Sequence, residues 1–175
     1  VVALAAAAAG WVGKLLLVSV PLLLGACAGH TPVPASSPAL TTMLPISLQI
    51  ERTQNAEQRD WLLVIQAEGQ ALRWSLFDPL GVPLARQLLE HGEWRNDGLL
   101  PPNAEARELF AALLFALTAD DALDTYPAGS WQRGADGQRR LNPDWRIRYR
   151  SALDFTLAAP QLSYRVRALN PEEGN

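Results

Sequence analysis

Cysteine and histidine are scarce in this chain of 175 residues, which has one cysteine, Cys27, and two histidines, His30 and His91. A single cysteine excludes an internal disulfide and leaves no spaced set of Cys and His ligands for a metal ion. With so few imidazole bases and no Gly-x-Ser-x-Gly turn, the sequence gives no support to a Ser-His-Asp hydrolase. Phosphate-binding loops and dinucleotide-binding glycine patterns are also missing. We therefore expect a protein that is not an enzyme and that carries no cofactor and no metal.

Charge of either sign is modest as well. The chain has 15 Lys and Arg residues against 18 Asp and Glu residues, which gives a formal net charge of -3, and 49% of its residues are hydrophobic. This composition is typical of one globular domain and gives no bulk attraction to nucleic acid. Asp120, Asp121 and Asp124 lie close together, but they lack the glycine-containing loop of a calcium site. We expect them to be solvated side chains near the end of a helix.

Residues 14–27, KLLLVSVPLLLGAC, have the order of features found in a secretory leader. Lys14 provides a positive start, an apolar stretch follows, and small residues precede Cys27. The apolar stretch is too short for a typical transmembrane helix, and Pro21 would disturb a helix at its middle. We interpret residues 1–26 as a signal peptide.

The segment LGAC at residues 24–27 resembles the lipobox of bacterial lipoproteins. In that class a transferase attaches diacylglycerol to the cysteine sulfur, and a peptidase then cleaves before the cysteine. The resemblance implies lipid attachment at Cys27 and anchoring in a membrane. Ala28, in place of an aspartate, implies export to the periplasmic face of the bacterial outer membrane. The alternative is that Cys27 is a free thiol in an uncleaved anchor.

A change of composition separates the leader from the folded part. Residues 30–42, HTPVPASSPALTT, are rich in Pro, Ser and Thr and show no apolar periodicity, which indicates an extended tether. We expect a lipidated tether at 27–42, a single domain at 43–170 and a disordered tail at 171–175.

Alternating apolar residues predict β-strands on both sides of one helical segment. Ile46, Leu48 and Ile50 alternate with polar residues, and the segments WLLVIQAE from residue 61 and LRWSLF from residue 72 flank a turn. Together with the returning segment at residues 84–89 they predict about four strands before the helix, with Trp94 at the start of a further short segment, and about three strands are expected after it.

The apolar period changes to 3.6 in residues 103–126. Asn103 is placed to cap this helix, and Pro127 with Gly129 ends it. One stripe of the helix is apolar: Ala106, Phe110, Leu113, Leu114 and Leu117. An antiparallel sheet buries such a helix on one face and keeps its other face in water. We therefore predict a mainly β (α+β) fold, with the helix on the concave face of a curved antiparallel sheet.

Arginines mark the water-facing side of two late strands. They alternate with apolar residues in WRIRYR and SYRVRAL, at Arg146, Arg148, Arg150, Arg165 and Arg167. A solvated sheet face explains this pattern, and contact with anionic lipid headgroups is the alternative.

The stretch SLFDPLGVPLAR, residues 75–86, predicts a tight hairpin turn with a large apolar residue at its tip. Asp78, Pro79 and Gly81 are residues typical of tight turns, whereas Leu80 is not. An exposed leucine is often incidental. On a lipid-anchored protein it can instead enter a bilayer, where burying one leucine side chain contributes about 1.5–3 kcal/mol.

FDPLGVPL, together with the lipobox and the strand pattern, resembles the outer-membrane lipoprotein insertase (LolB-like) superfamily, whose members carry an Asn-Pro-Leu-Gly hairpin. Pro79, Leu80 and Gly81 match that pattern, and Asp78 replaces the asparagine. The closing segment 145–169 is also similar to the closing strands of that family. A closer similarity is to uncharacterised lipoproteins encoded in aryl polyene and fatty-acid-synthase-like gene clusters.

The resemblance implies the incomplete barrel of LolA and LolB, with helices plugging it around an apolar cavity for acyl chains, and membrane insertion of Leu80. It implies binding of acyl chains or a lipidated cargo, received from a periplasmic LolA-like carrier and delivered to the membrane. The expected cavity lining is Leu63, Ile65, Trp74, Leu76, Phe110, Leu114, Leu117 and Phe155. The alternatives are that these residues form an ordinary core, and that the protein is a scaffold that holds biosynthetic or export partners at the membrane.

Overall fold

A computed structural model describes residues 30–169. The predicted signal peptide, the lipid-attachment residue Cys27 and the predicted tail at 171–175 lie outside the described residues. Within residues 30–169, no helix is both long and apolar enough to cross a bilayer.

Ten strands, one α-helix and one 3₁₀ helix make up the described part of the chain. The strands are β1 Ile46–Gln54, β2 Glu57–Glu68, β3 Ala71–Phe77, β4 Pro83–Glu90, β5 Glu93–Asn96, β6 Trp131–Arg133, β7 Arg139–Leu141, β8 Trp145–Ser151, β9 Asp154–Ala159 and β10 Leu162–Ala168. The α-helix α1 spans Ala104–Leu117, and the 3₁₀ helix spans Asp120–Thr125.

The strands form one antiparallel sheet in the order β5-β4-β3-β2-β1-β10-β9-β8-β7-β6. The sheet is not closed, because β5 and β6 are its two edges and do not pair with each other. The prediction of a mainly β fold with an antiparallel sheet and an inserted helix is confirmed. Five strands, not four, precede α1, and five follow it. The strands that the sequence did not predict, β6 and β7, have three residues each, too few to show an alternation.

Helix α1 begins where predicted and ends earlier. The Asn103 side chain accepts a hydrogen bond from the Ala106 N–H at 3.0 Å and caps the first turn. At the other end, Thr118 is extended, and its hydroxyl donates to the Leu114 carbonyl at 2.7 Å. The predicted single helix over 103–126 is therefore wrong, because the chain turns at Thr118 and resumes as the separate 3₁₀ helix.

The core fills the space between α1 and the concave face of the sheet. Every residue of α1 from Leu109 to Leu117 is buried, so the helix is covered on more than the side that faces the strands. Part of that cover comes from residues 31–42. The Thr41 N–H donates to the Leu117 carbonyl at 2.8 Å, and Leu40 forms an isolated antiparallel β-bridge with Thr118.

The described part of the expected tether, residues 30–42, thus belongs to the domain. Thr31, Pro34 and Pro38 are buried, and the Ala35 N–H donates to the Thr125 carbonyl at 3.2 Å. The expectation that folding begins near Met43 is wrong, because a segment without apolar periodicity still packs when distant residues supply its partners. We call residues 31–42 the strap.

Candidate functional site

Several strand ends and the start of α1 meet at one end of the sheet, which we call the mouth. The register pairs Gln54 with both Glu57 and Leu162, so the β1–β2 and β9–β10 turns lie at the same end. The pairing of Leu62 with Phe77 brings the β3–β4 turn to that end too. Asn103, which caps α1, donates to the Leu84 carbonyl beside that turn at 3.3 Å. The mouth therefore comprises these three turns and the N-terminus of α1.

The β3–β4 turn holds Leu80 out into solvent on a fixed backbone. Asp78 Oδ1 accepts hydrogen bonds from the N–H groups of Leu80 and Val82, at 2.9 and 2.8 Å. The Gly81 N–H closes the turn onto the Asp78 carbonyl at 3.0 Å, with Gly81 at a φ of 83° that a glycine adopts readily. The Leu80 side chain is 88% exposed, and its neighbour Val82 is exposed as well. The turn thus presents two exposed apolar side chains to solvent.

A cleft of about 550 Å³ opens behind this turn. Its lining combines apolar and charged residues: Arg59, Asp60, Trp61, Leu76, Asp78, Pro79, Leu84, Asn103, Glu105 and Ala106. The volume falls within the range of small-molecule sites. The cleft therefore places the apolar side chains of Trp61, Leu76 and Leu84 next to the exposed hairpin.

A buried polar cluster lies beneath the cleft. Arg52 points inward from β1 and donates from Nε to Glu105 Oε1 at 2.5 Å. The Tyr164 hydroxyl donates to the same carboxylate oxygen at 2.6 Å, and the Arg52 guanidinium lies 5.7 Å from the centroid of the Trp61 ring. Gln54 Oε1 accepts a further hydrogen bond from the guanidinium. These contacts fasten the first turn of α1 to β1 and β10.

The ionisation of this cluster follows from its contacts. Burial acts to raise the pKa of Glu105, but the hydrogen bonds from Arg52 and Tyr164 outweigh it, and the pKa is lowered. The hydrogen bond to Glu105 raises the pKa of Arg52, while burial and the Glu105 carboxylate both raise the pKa of Tyr164. The cluster therefore holds a carboxylate, a guanidinium and a neutral phenol.

The residues predicted to line an acyl cavity lie in the packed core instead. All eight have a side-chain exposure of 1% or less: Leu63, Ile65, Trp74, Leu76, Phe110, Leu114, Leu117 and Phe155. The Trp74 and Phe110 rings pack against each other with centroids 5.4 Å apart and planes tilted by 35°, which shows how α1 fills the concave face. Of the eight, Leu76 alone borders the cleft at the mouth. In this conformation α1 covers the concave face and the eight residues form part of an ordinary core, which is one of the two alternatives left open by the sequence, while contact of these residues with acyl chains stays a prediction.

Glu108 holds the strap against α1, a role that no motif in the sequence indicates. Its Oε2 accepts the Thr31 N–H at 2.8 Å and the Thr31 hydroxyl at 2.5 Å, and its Oε1 lies 3.1 Å from His30 Nδ1. Burial acts to raise the pKa of Glu108, but the hydrogen bonds from Thr31 and His30 lower it below the ordinary range. The indole N–H of Trp145 donates to the Thr31 hydroxyl at 2.8 Å. The strap is therefore fastened to both α1 and β8 at its first residue.

The outward arginines lie where the sequence places them. Arg146, Arg148 and Arg150 on β8 are exposed, as is Arg167 on β10. Arg165 pairs with Asp154 at 2.9 Å on the same face. Whether anionic headgroups meet this face stays a prediction.

Arg139 points inward, in contrast, and donates to the Phe115 and Thr118 carbonyls at the end of α1. It also pairs with Asp120 at 2.6 Å, and Asp120 contacts Arg133 as well. Asp120 is thus part of an ion-pair group at the end of α1. In residues 30–169, no group of three or more His, Cys, Asp or Glu residues is arranged to hold a metal ion.

A scan against protein-family models finds no match to this chain, and a search of curated proteins finds none either. The resemblance to the insertase superfamily therefore depends on the turn at residues 78–81, the lipobox and the strand pattern.

Proposed function

We propose that this protein is an outer-membrane lipoprotein that binds acyl chains of a lipidated cargo at its mouth and delivers that cargo to the bilayer. The observation that carries the proposal is the exposed Leu80 on a rigid turn beside the cleft. The match of Pro79, Leu80 and Gly81 to the insertase hairpin supports it. Cys27 is the proposed lipid-attachment site, and a LolA-like carrier in the periplasm is the proposed donor.

The turn supports this role because it needs no rearrangement to present Leu80. Two hydrogen bonds to Asp78 Oδ1 fix its backbone, so little conformational entropy is lost when the tip enters lipid. Burial of one leucine side chain contributes about 1.5–3 kcal/mol. That amount biases the orientation of the protein at a membrane, while the lipid on Cys27 provides the attachment.

The cleft supports the role as the entrance for an acyl chain. Trp61, Leu76 and Leu84 offer it an apolar wall next to the tip. The packed rings of Trp74 and Phe110 fill the interior beyond Leu76. A chain longer than the cleft therefore reaches the concave face only when α1 moves away from the sheet. On this proposal, the eight core residues line the site in that opened state.

The test uses the full lipoprotein loaded with a fluorescent diacylated peptide and mixed with vesicles of phosphatidylethanolamine and phosphatidylglycerol. Leu80→Glu is expected to bind the peptide as the wild type does and to lose its transfer to the vesicles. Met43→Glu is the matched control, since Met43 is 78% exposed and lies at the opposite end of the strands. Equal transfer by Leu80→Glu and wild type would overturn the role of Leu80.

The filled core favours a second candidate function, a scaffold that carries no lipid. Because the eight core residues are almost fully buried, this conformation has no ready-made space for an acyl chain in the concave face. Native mass spectrometry of the purified protein separates the two candidates. A carrier is expected to retain or take up the diacylated peptide, whereas a scaffold binds none.

A further inference from the structure

The strap fixes the position of Thr31, which is the second of the described residues. Thr31 is buried, donates twice to Glu108 and accepts from Trp145, so its position is fixed by three hydrogen bonds. Trp145 begins β8, and the register that pairs Arg146 with Ala158 places that start beside the β9–β10 turn. Thr31 therefore lies at the mouth, on the β8 side.

The fixed position of Thr31 limits how far from the mouth a lipid on Cys27 can lie. Three residues lie between Cys27 and Thr31, and the four Cα–Cα steps that join the two span at most about 14 Å whatever the conformation. The long tether expected from the composition would have allowed any orientation of the domain. The fixed Thr31 instead keeps an anchor at Cys27 within that distance of the mouth.

A second apolar tip lies beside the hairpin. Leu99 is fully exposed, and both ends of its loop are held against β4. The Asp97 N–H donates to the Arg86 carbonyl at 3.0 Å, and the Asn103 amide donates to the Leu84 carbonyl at 3.3 Å. The loop that carries Leu99 is thus held at both ends beside the start of β4, close to the turn that carries Leu80 and on the side of the mouth away from β8.

We propose that the mouth is the face that rests on a phospholipid bilayer, and that Leu99 is a second membrane contact beside Leu80. The proposal rests on the proposed function of Leu80 and adds a defined orientation. The two leucines approach the lipid on the β3–β4 side of the mouth, and the anchored chain reaches it on the β8 side. Support on two sides holds the strands upright on the bilayer, and the arginine face of β8 and β10 then points sideways, because side chains stand perpendicular to the sheet.

The test is a depth measurement on the full lipoprotein in vesicles of phosphatidylethanolamine and phosphatidylglycerol. Because Cys27 is the sole cysteine and acylation blocks it, one added cysteine carries a spin label at a unique site. The variants are Leu80→Cys, Leu99→Cys and the control Met43→Cys, all at exposed positions outside the core. The measured quantity is the ratio of collision rates with oxygen, which concentrates in lipid, and with a nickel chelate, which stays in water.

If the mouth contacts the bilayer, the ratio of oxygen to nickel collision rates is expected to be several-fold higher at residues 80 and 99 than at residue 43. A water-like ratio at 99 with a lipid-like ratio at 80 overturns the second contact and leaves the proposed function standing. Water-like ratios at both positions overturn the second contact at Leu99 and the proposed role of Leu80 together. A lipid-like ratio at residue 43 overturns the upright orientation. Unfolding curves that match the wild type show that each labelled variant is folded.

Discussion

Arg52 on β1 and Glu105 in the first turn of α1 form an ion pair, with Nε and Oε1 2.5 Å apart, directly beneath the cleft at the mouth. The arginine is nearly buried, whereas the carboxylate is partly exposed. Tyr164 completes the pair with a hydrogen bond to the same oxygen. This pair is the polar fastening between helix and sheet at the end where cargo is proposed to enter.

Replacing Arg52 with methionine is expected to destabilise the protein. The substitution leaves Glu105 and Tyr164 without their shared cation, and a hydrogen bond to a charged group contributes about 1.5–3 kcal/mol. Urea unfolding at neutral pH measures the loss. Arg59→Met is the control, because Arg59 pairs with Glu57 at the surface and such pairs contribute about 0–1 kcal/mol. Equal losses in the two variants would contradict the fastening role of Arg52.

The ionisation of Glu108 makes the unfolding free energy depend on pH. Its pKa in the folded protein lies below the ordinary value of 4.5, so it stabilises the fold at neutral pH, and this contribution is lost as the pH falls below 4.5. Glu108→Gln is therefore expected to be less stable than the wild type at pH 7, with a difference that shrinks in acid. Urea unfolding at both pH values measures it. A difference that stays constant with pH would contradict the prediction, and Glu93→Gln at an exposed site is the control.

Asp78 is expected to tolerate asparagine but not alanine. Asparagine keeps an oxygen that accepts from the Leu80 and Val82 N–H groups, while alanine removes both hydrogen bonds. Hydrogen exchange of these two amides is expected to speed up in Asp78→Ala and to stay near the wild-type rate in Asp78→Asn. Fast exchange in both variants would show that the carboxylate charge, and not its geometry, holds the turn.

Phe110→Ala is expected to cost about 3–5 kcal/mol of unfolding free energy, as is usual when a buried phenylalanine is truncated. Its ring packs between Trp74 and Trp94, with centroids 5.4 and 5.9 Å away. Thermal or urea unfolding measures the loss, with the fully exposed Leu99→Ala as the matched control. A loss below about 1 kcal/mol would indicate that the space beside α1 is already loosely filled.

The turn and the capped start of the helix could be predicted because their signals are local. Asp78, Pro79 and Gly81 lie within four consecutive positions and specify the turn. Asn103 caps α1 by accepting a hydrogen bond from the N–H of Ala106, only three positions further along the chain. The alternation of Ile46, Leu48 and Ile50 sets the buried face of β1 in the same way.

The strap and the filled core could not be predicted, because they depend on residues far apart in the chain. Thr31 is fixed by Glu108 and Trp145, 77 and 114 positions away, and nothing in a Pro/Ser/Thr-rich segment identifies such partners. Apolar residues at the right positions indicate which side chains face inward. They do not indicate whether Phe110 and Trp74 touch or leave a space between them. That difference is one of volume, which emerges only when all elements pack together.

The open border of the sheet has a consequence for how copies of this chain meet one another. An unpaired strand edge can recruit a strand from a neighbour and start an amyloid-like ladder. Here the two free borders are only four and three residues long, and they carry Glu93, Arg95 and Arg133 as exposed charges. Short, charged borders oppose such recruitment, so many copies can crowd together without polymerising through their sheets.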